Sequence, residues 1–324
     1  MNTFDELQKK AIEIIENLDY AQQPLSLYEP VDYAIHQGGK RIRPLLVLLA
    51  ADMFGTDANQ ASNPAIAVEI LHNFTLVHDD IMDASPLRRG KPTVYQKFGN
   101  NKAILSGDVM YAMAYEYLLQ CEKEKIPALT KTLTSVLIKV CEGQALDMEF
   151  EQRNDVSIQE YITMISLKTG ILLAGALKMG AIVANAKAED MNCLSEFGLY
   201  SGIAFQLQDD ILDCWSDLSD FGKVSGTDIA DNKKTIVYLT ALDKADEKDR
   251  EKLLSLYNEK TIDLRKKVQE VKAIFEKYNV REDVEKMVKQ YMDMALDSLD
   301  KIDVAEEQKS NLKIFIDKLL NRKK

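Results

Sequence analysis

Glycine and proline are scarce, 14 and 7 in 324 residues. Few tight turns can then interrupt the chain, which favours long helices. Cysteine is scarce as well. Cys121, Cys141, Cys193 and Cys214 form no CxxC pair and sit in apolar or helical-patterned sequence. That argues against a disulfide framework and for buried, reduced thiols in a cytoplasmic protein. Three histidines, His36, His72 and His78, are too few for a His-rich zinc site. Basic charge is in deficit, 41 Lys and Arg against 52 Asp and Glu for a net −11, so no nucleic-acid partner is expected. Long apolar runs are missing too. The longest, 171–184, has 14 residues and contains Lys178, whereas a membrane span needs about 20. The opening MNTFDELQKKAIEII carries early acids and does not resemble a signal peptide. No membrane anchor is expected.

What the chain has in abundance is helical periodicity. Apolar residues recur at helical spacing over 44–53, 64–83, 103–120, 128–151, 158–167, 170–184, 190–216, 261–277, 281–299 and 306–321. No segment sustains period-2 alternation. The β-branched TIVYL (235–239) is short, lies between helical patterns and reads as helix. After about residue 240 the chain becomes charged with an apolar stripe, the pattern of amphipathic helices covering a more apolar core. No linker divides it. The expectation is one all-α domain, residues 1–324.

Two stretches share one unusual pattern. HDDIMD (78–83) and QDDILD (208–213) each place aspartates near the C-terminal end of an apolar helical segment. On a helix, Asp79 and Asp83 share a face about 6 Å apart along the axis, as do Asp209 and Asp213. Two bare carboxylates at that distance repel by about 3 kcal/mol at an effective dielectric of 20. Something positive must answer them. Oxygen-only ligands suit Mg²⁺, which commonly bridges to a substrate phosphate. A single such motif would more often be a solvated helix end, but two on apolar helices argue against that. The DxDxDG pattern of a calcium loop is absent.

Cations gather where the chain bends. HQGGKRIRP (36–44) sets Lys40, Arg41 and Arg43 behind two glycines. LRRGKPT (87–93) adds Arg88, Arg89 and Lys91; LKTG (167–170) adds Lys168 beside Thr169; FGKVSGTDIADNKKT (221–235) adds Lys223, Lys233 and Lys234. Any one could be a surface charge run. Together with glycines and two acid clusters they suggest a site for more than one multiply charged phosphate group, with arginine forks gripping oxygens and lysines supplying point charge.

These motifs, in this order over about residues 40–235, resemble the trans-isoprenyl diphosphate synthases (polyprenyl synthetases). The matching residues are GGKRIRP (38–44), DDIMD (79–83) with LRRGKPT behind it, KTG (168–170), FQLQDDILD (205–213), FGKVSGTDI (221–229) and KKT (233–235). The resemblance implies an isoprenoid-synthase-type bundle of ten or more helices around a deep cavity, usually as a homodimer. It also implies a reaction: an allylic diphosphate (dimethylallyl, geranyl or farnesyl) ionises, isopentenyl diphosphate attacks the cation head-to-tail, and a proton is lost. The implied metal is Mg²⁺, three ions with substrate bound and Mn²⁺ as a substitute, on Asp79, Asp80, Asp83, Asp209, Asp210 and Asp213. Arg88, Lys168, Thr169, Gln206, Lys223 and Lys233 would serve the allylic diphosphate. Lys40, Arg43, His72 and Arg89 would hold isopentenyl diphosphate. Taken alone, His72 would more often be a core histidine; its place seven residues before Asp79 puts it on the aspartate face. Two departures stand out. Val224 replaces a common proline, and Asn232 replaces a common glycine, though Asn tolerates the left-handed conformation better than most residues.

In this family, bulk just before the first aspartate limits product length. Phe74 and Thr75 occupy those positions, and an aromatic at Phe74 resembles the short-chain enzymes, with C20 favoured over C15. Phe74 lies roughly 140° around the helix from Asp79, so plain core packing stays open for it. Two other readings exist: a class I terpene cyclase, for which GGKRIRP would have no job, and a non-catalytic synthase subunit, which would tend to lose motif aspartates.

Overall fold

A computed structural model describes residues 2–20, 22–215, 226–258 and 263–320. Among these, helices dominate. They are α1 (Phe4–Glu16), α2 (Leu25–Ile35), α3 (Ile42–Met53), α4 (Ser62–Met82), α5 (Val94–Phe98), α6 (Asn100–Leu119), α7 (Ile126–Gln152) and α8 (Ile158–Ile165). After a π turn at Ser166–Gly170 come α9 (Ile171–Val183), α10 (Ala188–Trp215), α11 (Thr227–Ala230), α12 (Ile236–Lys244), α13 (Glu247–Asn258), α14 (Leu264–Lys277), α15 (Val280–Asp300) and α16 (Glu306–Leu320). The all-α expectation holds, and TIVYL begins helix α12 after Thr235.

Two compact units share the chain, and both are discontinuous in sequence. The first comprises Met1–Leu137, Leu172–Ser195 and Lys301–Ile314; the second comprises Ile138–Ile171, Glu196–Asp300 and Phe315–Lys324. No linker marks this division, because each unit is assembled from separated segments.

In the first unit, α3 is the innermost element. Every residue from Pro44 to Met53 is buried, as expected of a helix that is apolar around its whole circumference. Helix α9 crosses it closely: a Cβ at Gly180 would overlap the Val47 carbonyl. Helix α4 packs on α6, where Gly107 leaves room for the His78 ring. A short hairpin, β1 (Leu87–Arg88) and β2 (Lys91–Pro92), follows α4. Its turn residues Arg89 and Gly90 have φ of 52° and 74°, the left-handed pair that a two-residue hairpin favours. Helical periodicity could not reveal so short a pair of strands.

In the second unit the core is built from α8, α10, α12, α14 and α15, with Ile165, Leu207, Ile211, Ile236, Phe275 and Val284 among its buried side chains. Tyr238 and Tyr257 stack within it at 4.0 Å. The helical run Ile158–Val183 is 26 residues, long and apolar enough by length and composition to cross a membrane, but 67% of its most apolar window is buried inside the protein, as in a core helix. Sequence patterns had divided this run near Lys168. The π turn keeps it helical through that point.

Candidate active site

Helix α4 ends on the first acid cluster. The Asp83 amide reaches the Asp79 carbonyl at 2.8 Å, Ala84 that of Ile81 at 3.3 Å, and Ser85 that of Asp80 at 3.0 Å. With Ala84 left-handed (φ 49°), this is a Schellman ending. It stops the helix just before Pro86 and the hairpin. Carboxylates at a helix C-terminus face the negative end of the backbone dipole, so this cluster needs positive charge. Arg88 supplies part of it. Its Nε lies 2.9 and 3.0 Å from the two Asp80 oxygens and one Nη lies 2.8 Å from Oδ1. The same nitrogen is 3.7 Å from Asp79 Oδ2. Asp80 is buried, and burial raises its pKa against the opposing pull of Arg88. Asp79 is half-buried and Asp83 is exposed. The middle aspartate is thus engaged by Arg88, and the outer two occupy the helix end.

The glycine turn before α3 meets the hairpin. Arg89 donates from Nη1 to the Gly38 carbonyl, and its guanidinium lies against Gly39, where a Cβ would sit 2.6–2.8 Å from guanidinium atoms. With φ of 128° as well, position 39 admits only glycine. Arg41 (φ 47°) is buried, donating to Glu69 at 2.8 Å and to the Ile35 carbonyl at 2.5 Å. Arg43 is half-buried, its pKa pushed down to about 10 by burial, and its Nε has no hydrogen-bond partner among the described residues. Burial and then the neighbouring Arg43 and Arg89 drive His72 well below the usual imidazole range, so it stands neutral beside them. Lys40 is exposed on the same turn. The structure therefore brings Arg43, His72 and Arg89 together. It adds the buried Arg41–Glu69 pair, which sequence patterns did not single out because Glu69 resembles any helical acid. A cluster with several guanidiniums and one buried carboxylate suits a multiply charged anion.

One turn before Asp79, Phe74 lies edge-on to His78 at 4.8 Å and 6.0 Å from the Tyr111 ring on α6. Tyr111 meets Tyr115 at 5.2 Å, and the Tyr115 hydroxyl is 2.8 Å from Thr134 Oγ1. The Thr75 hydroxyl is turned back onto the His72 carbonyl at 2.8 Å. Phe74 begins an aromatic row between α4 and α6.

In the second unit, α10 carries the other acid cluster near its C-terminal end. Asp210 is buried, receives the Tyr161 hydroxyl at 2.5 Å and Gln206 Nε2 at 3.2 Å, and has its pKa pushed up to about 8 by burial. Gln206 Oε1 accepts from Thr169 at 3.2 Å. This links the acid cluster to the π turn, a distortion common at functional sites. Lys168, in the same turn, is 2.6 Å from Asp147 Oδ2 on α7. Three glycines let backbones close on this turn: a Cβ at Gly202 would lie 2.5 Å from Gly170 Cα, one at Gly143 2.5 Å from the Lys168 nitrogen, and one at Gly170 2.9 Å from the Leu199 carbonyl.

Asp213 accepts from the Thr227 hydroxyl and from the Asp228 amide at 3.0 Å, while its carbonyl receives the Gly226 amide at 2.8 Å. Burial, and then Asp213, push Asp228 up to about 6. Lys233 is exposed just beyond α11 and draws the Asp228 pKa the other way. Lys223 lies outside the described residues. Asp147, Tyr161 and Asp228 are site residues that sequence patterns did not mark, although Asp228 stands inside the quoted FGKVSGTDI.

Among the described residues, no three His, Cys, Asp or Glu side chains form a ready-made metal cage. The donor chemistry still fits a hard divalent cation. Carboxylate oxygens dominate, and a Mg²⁺ ion usually keeps water and takes substrate phosphate oxygens rather than a full protein shell. The middle aspartates Asp80 and Asp210 are committed to protein donors. Asp79, Asp83, Asp209 and Asp213 are the partly or fully exposed carboxylates of the two clusters, and of these Asp213 is engaged by Thr227 and the Asp228 amide.

Comparison with known proteins agrees with this reading. Residues 24–278 match the polyprenyl synthetase family. A short chain isoprenyl diphosphate synthase of Methanothermobacter thermautotrophicus is 38% identical over 300 residues, 92% of this chain and 91% of that protein. A crystal structure of a geranylgeranyl pyrophosphate synthase superposes with a TM-score of 0.95 at 40% identity, covering all of both chains. That of geranylgeranyl pyrophosphate synthetase from Pyrococcus horikoshii gives 0.91 at 35% identity over 99% of this chain and 98% of that one. With the motifs, the all-helical fold and these likenesses in agreement, the chain belongs to the polyprenyl synthetase family and is a trans-prenyltransferase that condenses isopentenyl diphosphate with an allylic diphosphate into a short-chain prenyl diphosphate.

Proposed function

We propose that the product is geranylgeranyl diphosphate, C20, with farnesyl diphosphate as the shorter alternative. The supporting observation is Phe74, five positions before Asp79, with its ring braced by Tyr111 and His78. A braced aromatic resists displacement by a growing chain better than a mobile one. The names of the similar geranylgeranyl synthases point the same way. Incubating the pure protein with labelled isopentenyl diphosphate and each allylic primer, then sizing the products, tests this directly. Products beyond C20 would overturn it.

The cluster of Lys40, Arg43, His72 and Arg89 takes the diphosphate of isopentenyl diphosphate. Its excess of guanidinium over carboxylate supports that role, and neutral His72 can share a hydrogen bond without requiring a buried charge. Lys168, Thr169, Gln206, Lys223 and Lys233 serve the allylic diphosphate. Arg88, which holds Asp80, is assigned to the same diphosphate. Mg²⁺, with Mn²⁺ as a substitute and three ions in the substrate complex, is held chiefly by Asp79, Asp83 and Asp209, with Asp80, Asp210 and Asp213 behind them. When bound, the metal supplies Lewis-acid stabilisation of the departing pyrophosphate. The protein side chains orient both diphosphates, and the surrounding apolar helices exclude water from the cation.

The chain acts as one polyprenyl-synthetase domain in a cytoplasmic homodimer. Exposed Ile104, Leu105, Tyr111 and Leu119 on α6 support a second copy as the covering partner. Light scattering on the eluted protein would show a monomer if this is wrong.

A further inference from the structure

Lys233 is flanked by two side chains that are each tied to a different helix. Helix α11 ends in a Schellman turn: the Asn232 amide bonds to the Ile229 carbonyl at 3.3 Å, and the Lys233 amide to that of Asp228 at 2.9 Å. Asn232 takes the left-handed conformation, φ 60°. Its side-chain oxygen accepts from Lys267 on α14. Lys267 is 1% exposed, and its ammonium lies over the Tyr257 ring, 5.1 Å from the centroid. A lysine this buried is rare unless its charge is used. Here it holds the left-handed residue immediately before Lys233.

On the other side, Lys234 reaches onto the end of α7. Its ammonium reaches the carbonyls of Phe150 at 2.9 Å, Glu151 at 3.1 Å, and Arg153. These belong to the last turn of α7 and the residue after it, where carbonyls lack intrahelical partners and the dipole attracts a cation. One turn earlier, the same helix carries Asp147, the partner of Lys168. Helix α7 therefore braces Lys168 through a carboxylate and the Lys233 segment through its C-terminal carbonyls.

We propose that Lys234 and Lys267 are positioning residues that fix the Lys233 ammonium for the allylic diphosphate, Lys234 from the C-terminal carbonyls of α7 and Lys267 through Asn232. This rests on the reading that Lys233 binds that diphosphate. Neither lysine touches substrate in this scheme. Their effect is confined to one substrate, since the isopentenyl diphosphate residues lie on other segments.

The test compares Lys234→Met, Lys234→Arg and Asn232→Gly with Lys233→Met in steady-state kinetics for each substrate. Lys234→Met keeps the aliphatic stem and loses the ammonium. Asn232→Gly keeps the left-handed turn and loses the acceptor that Lys267 holds. Each should raise KM for the allylic diphosphate about tenfold, the scale of a small misplacement of a binding group. KM for isopentenyl diphosphate should stay unchanged, and Lys234→Arg should recover most of the loss. In the Lys233→Met background, Lys234→Met should add little further, because both act through one ammonium. Equal rises in both KM values, or full additivity in the double variant, would show a merely structural role and overturn the proposal. If Lys233→Met itself leaves the allylic KM unchanged, the underlying reading fails, and that result is distinguishable from Lys234→Met alone being silent. Should Lys234→Met fold poorly, Asn232→Gly carries the same test.

Discussion

Arg88 straddles Asp80, with Nε 2.9 Å from one carboxylate oxygen and an Nη 2.8 Å from the other. The pair is uneven, since the Asp80 side chain is 3% exposed and that of Arg88 26%. Removing the cation strands a buried carboxylate. Arg88→Met should cost about 2 kcal/mol of stability, less than breaking a fully buried pair because Arg88 is partly solvated. Asp80→Asn in the same background should recover part of the loss. Urea unfolding of the four combinations measures this. Strictly additive losses would mean the two side chains act independently.

The outer aspartates should behave differently. Asp79→Asn and Asp209→Asn are expected to cut kcat about 10³-fold, the scale of several kcal/mol of transition-state charge stabilisation. For Asp79→Asn folding stability should stay level, because relief of repulsion at the C-terminus of α4 offsets the loss of the 3.7 Å approach to Arg88. Chelator should abolish turnover in the parent protein, and added Mg²⁺ should restore it. Prenyl transfer that persists in chelator would refute the metal assignment.

Asp210 gives the chain a pH dependence of definite sign. Its carboxyl is pushed up to about 8 by burial, against about 3.9 in an unfolded chain. Between those values the folded state holds the extra proton. Its contribution is therefore greatest at the acid end and is lost as pH rises from about 4 through about 8. In metal-free protein, Asp210→Asn should flatten this part of the stability profile. Denaturation midpoints at several pH values would decide it, and parallel curves for the two proteins would exclude Asp210 as the source.

Phe74→Ala should lengthen the product, with its ring removed from the row formed with Tyr111 and Tyr115. Chromatographic sizing against C15, C20 and C25 standards reads the outcome. An unchanged distribution with lowered stability would mean that Phe74 is core packing only.

Gly202→Ala tests the close crossing at the π turn, where a Cβ would lie 2.5 Å from Gly170 Cα. Backbone cannot yield as a side chain does. The cost should be about 1–3 kcal/mol, accompanied by a rise in the allylic KM as Lys168 and Thr169 shift. Wild-type melting and kinetics would show that the helices part without strain.

Much of this was legible in the residues themselves. The paired DDxxD pattern, the glycine-flanked cations and the long helical periods each had a physical reason to occur, and Asn232 adopts the left-handed turn its side chain tolerates. Other features lack a local signature. Arg88 and Arg89 are neighbours in sequence, yet the hairpin sends one to Asp80 and the other to Gly38. Glu69, Asp147, Tyr161 and Lys267 look like ordinary helical residues until their tertiary partners are known. The π turn at Lys168 is likewise set by packing against Gly143 and Gly202 rather than by composition.

That turn has an arithmetical consequence. A π turn accommodates one residue more than the regular coil around it, and each residue advances an α-helix by about 100°. Deleting a single amino acid between Ser166 and Gly170 would let the backbone close into an unbroken spiral and gain regularity. It would leave the flanking helices in phase but shift the residues within the turn itself, so Thr169 would lose Gln206 and Lys168 would lose Asp147. Local order and the active arrangement are in opposition here, and the chain retains the surplus residue.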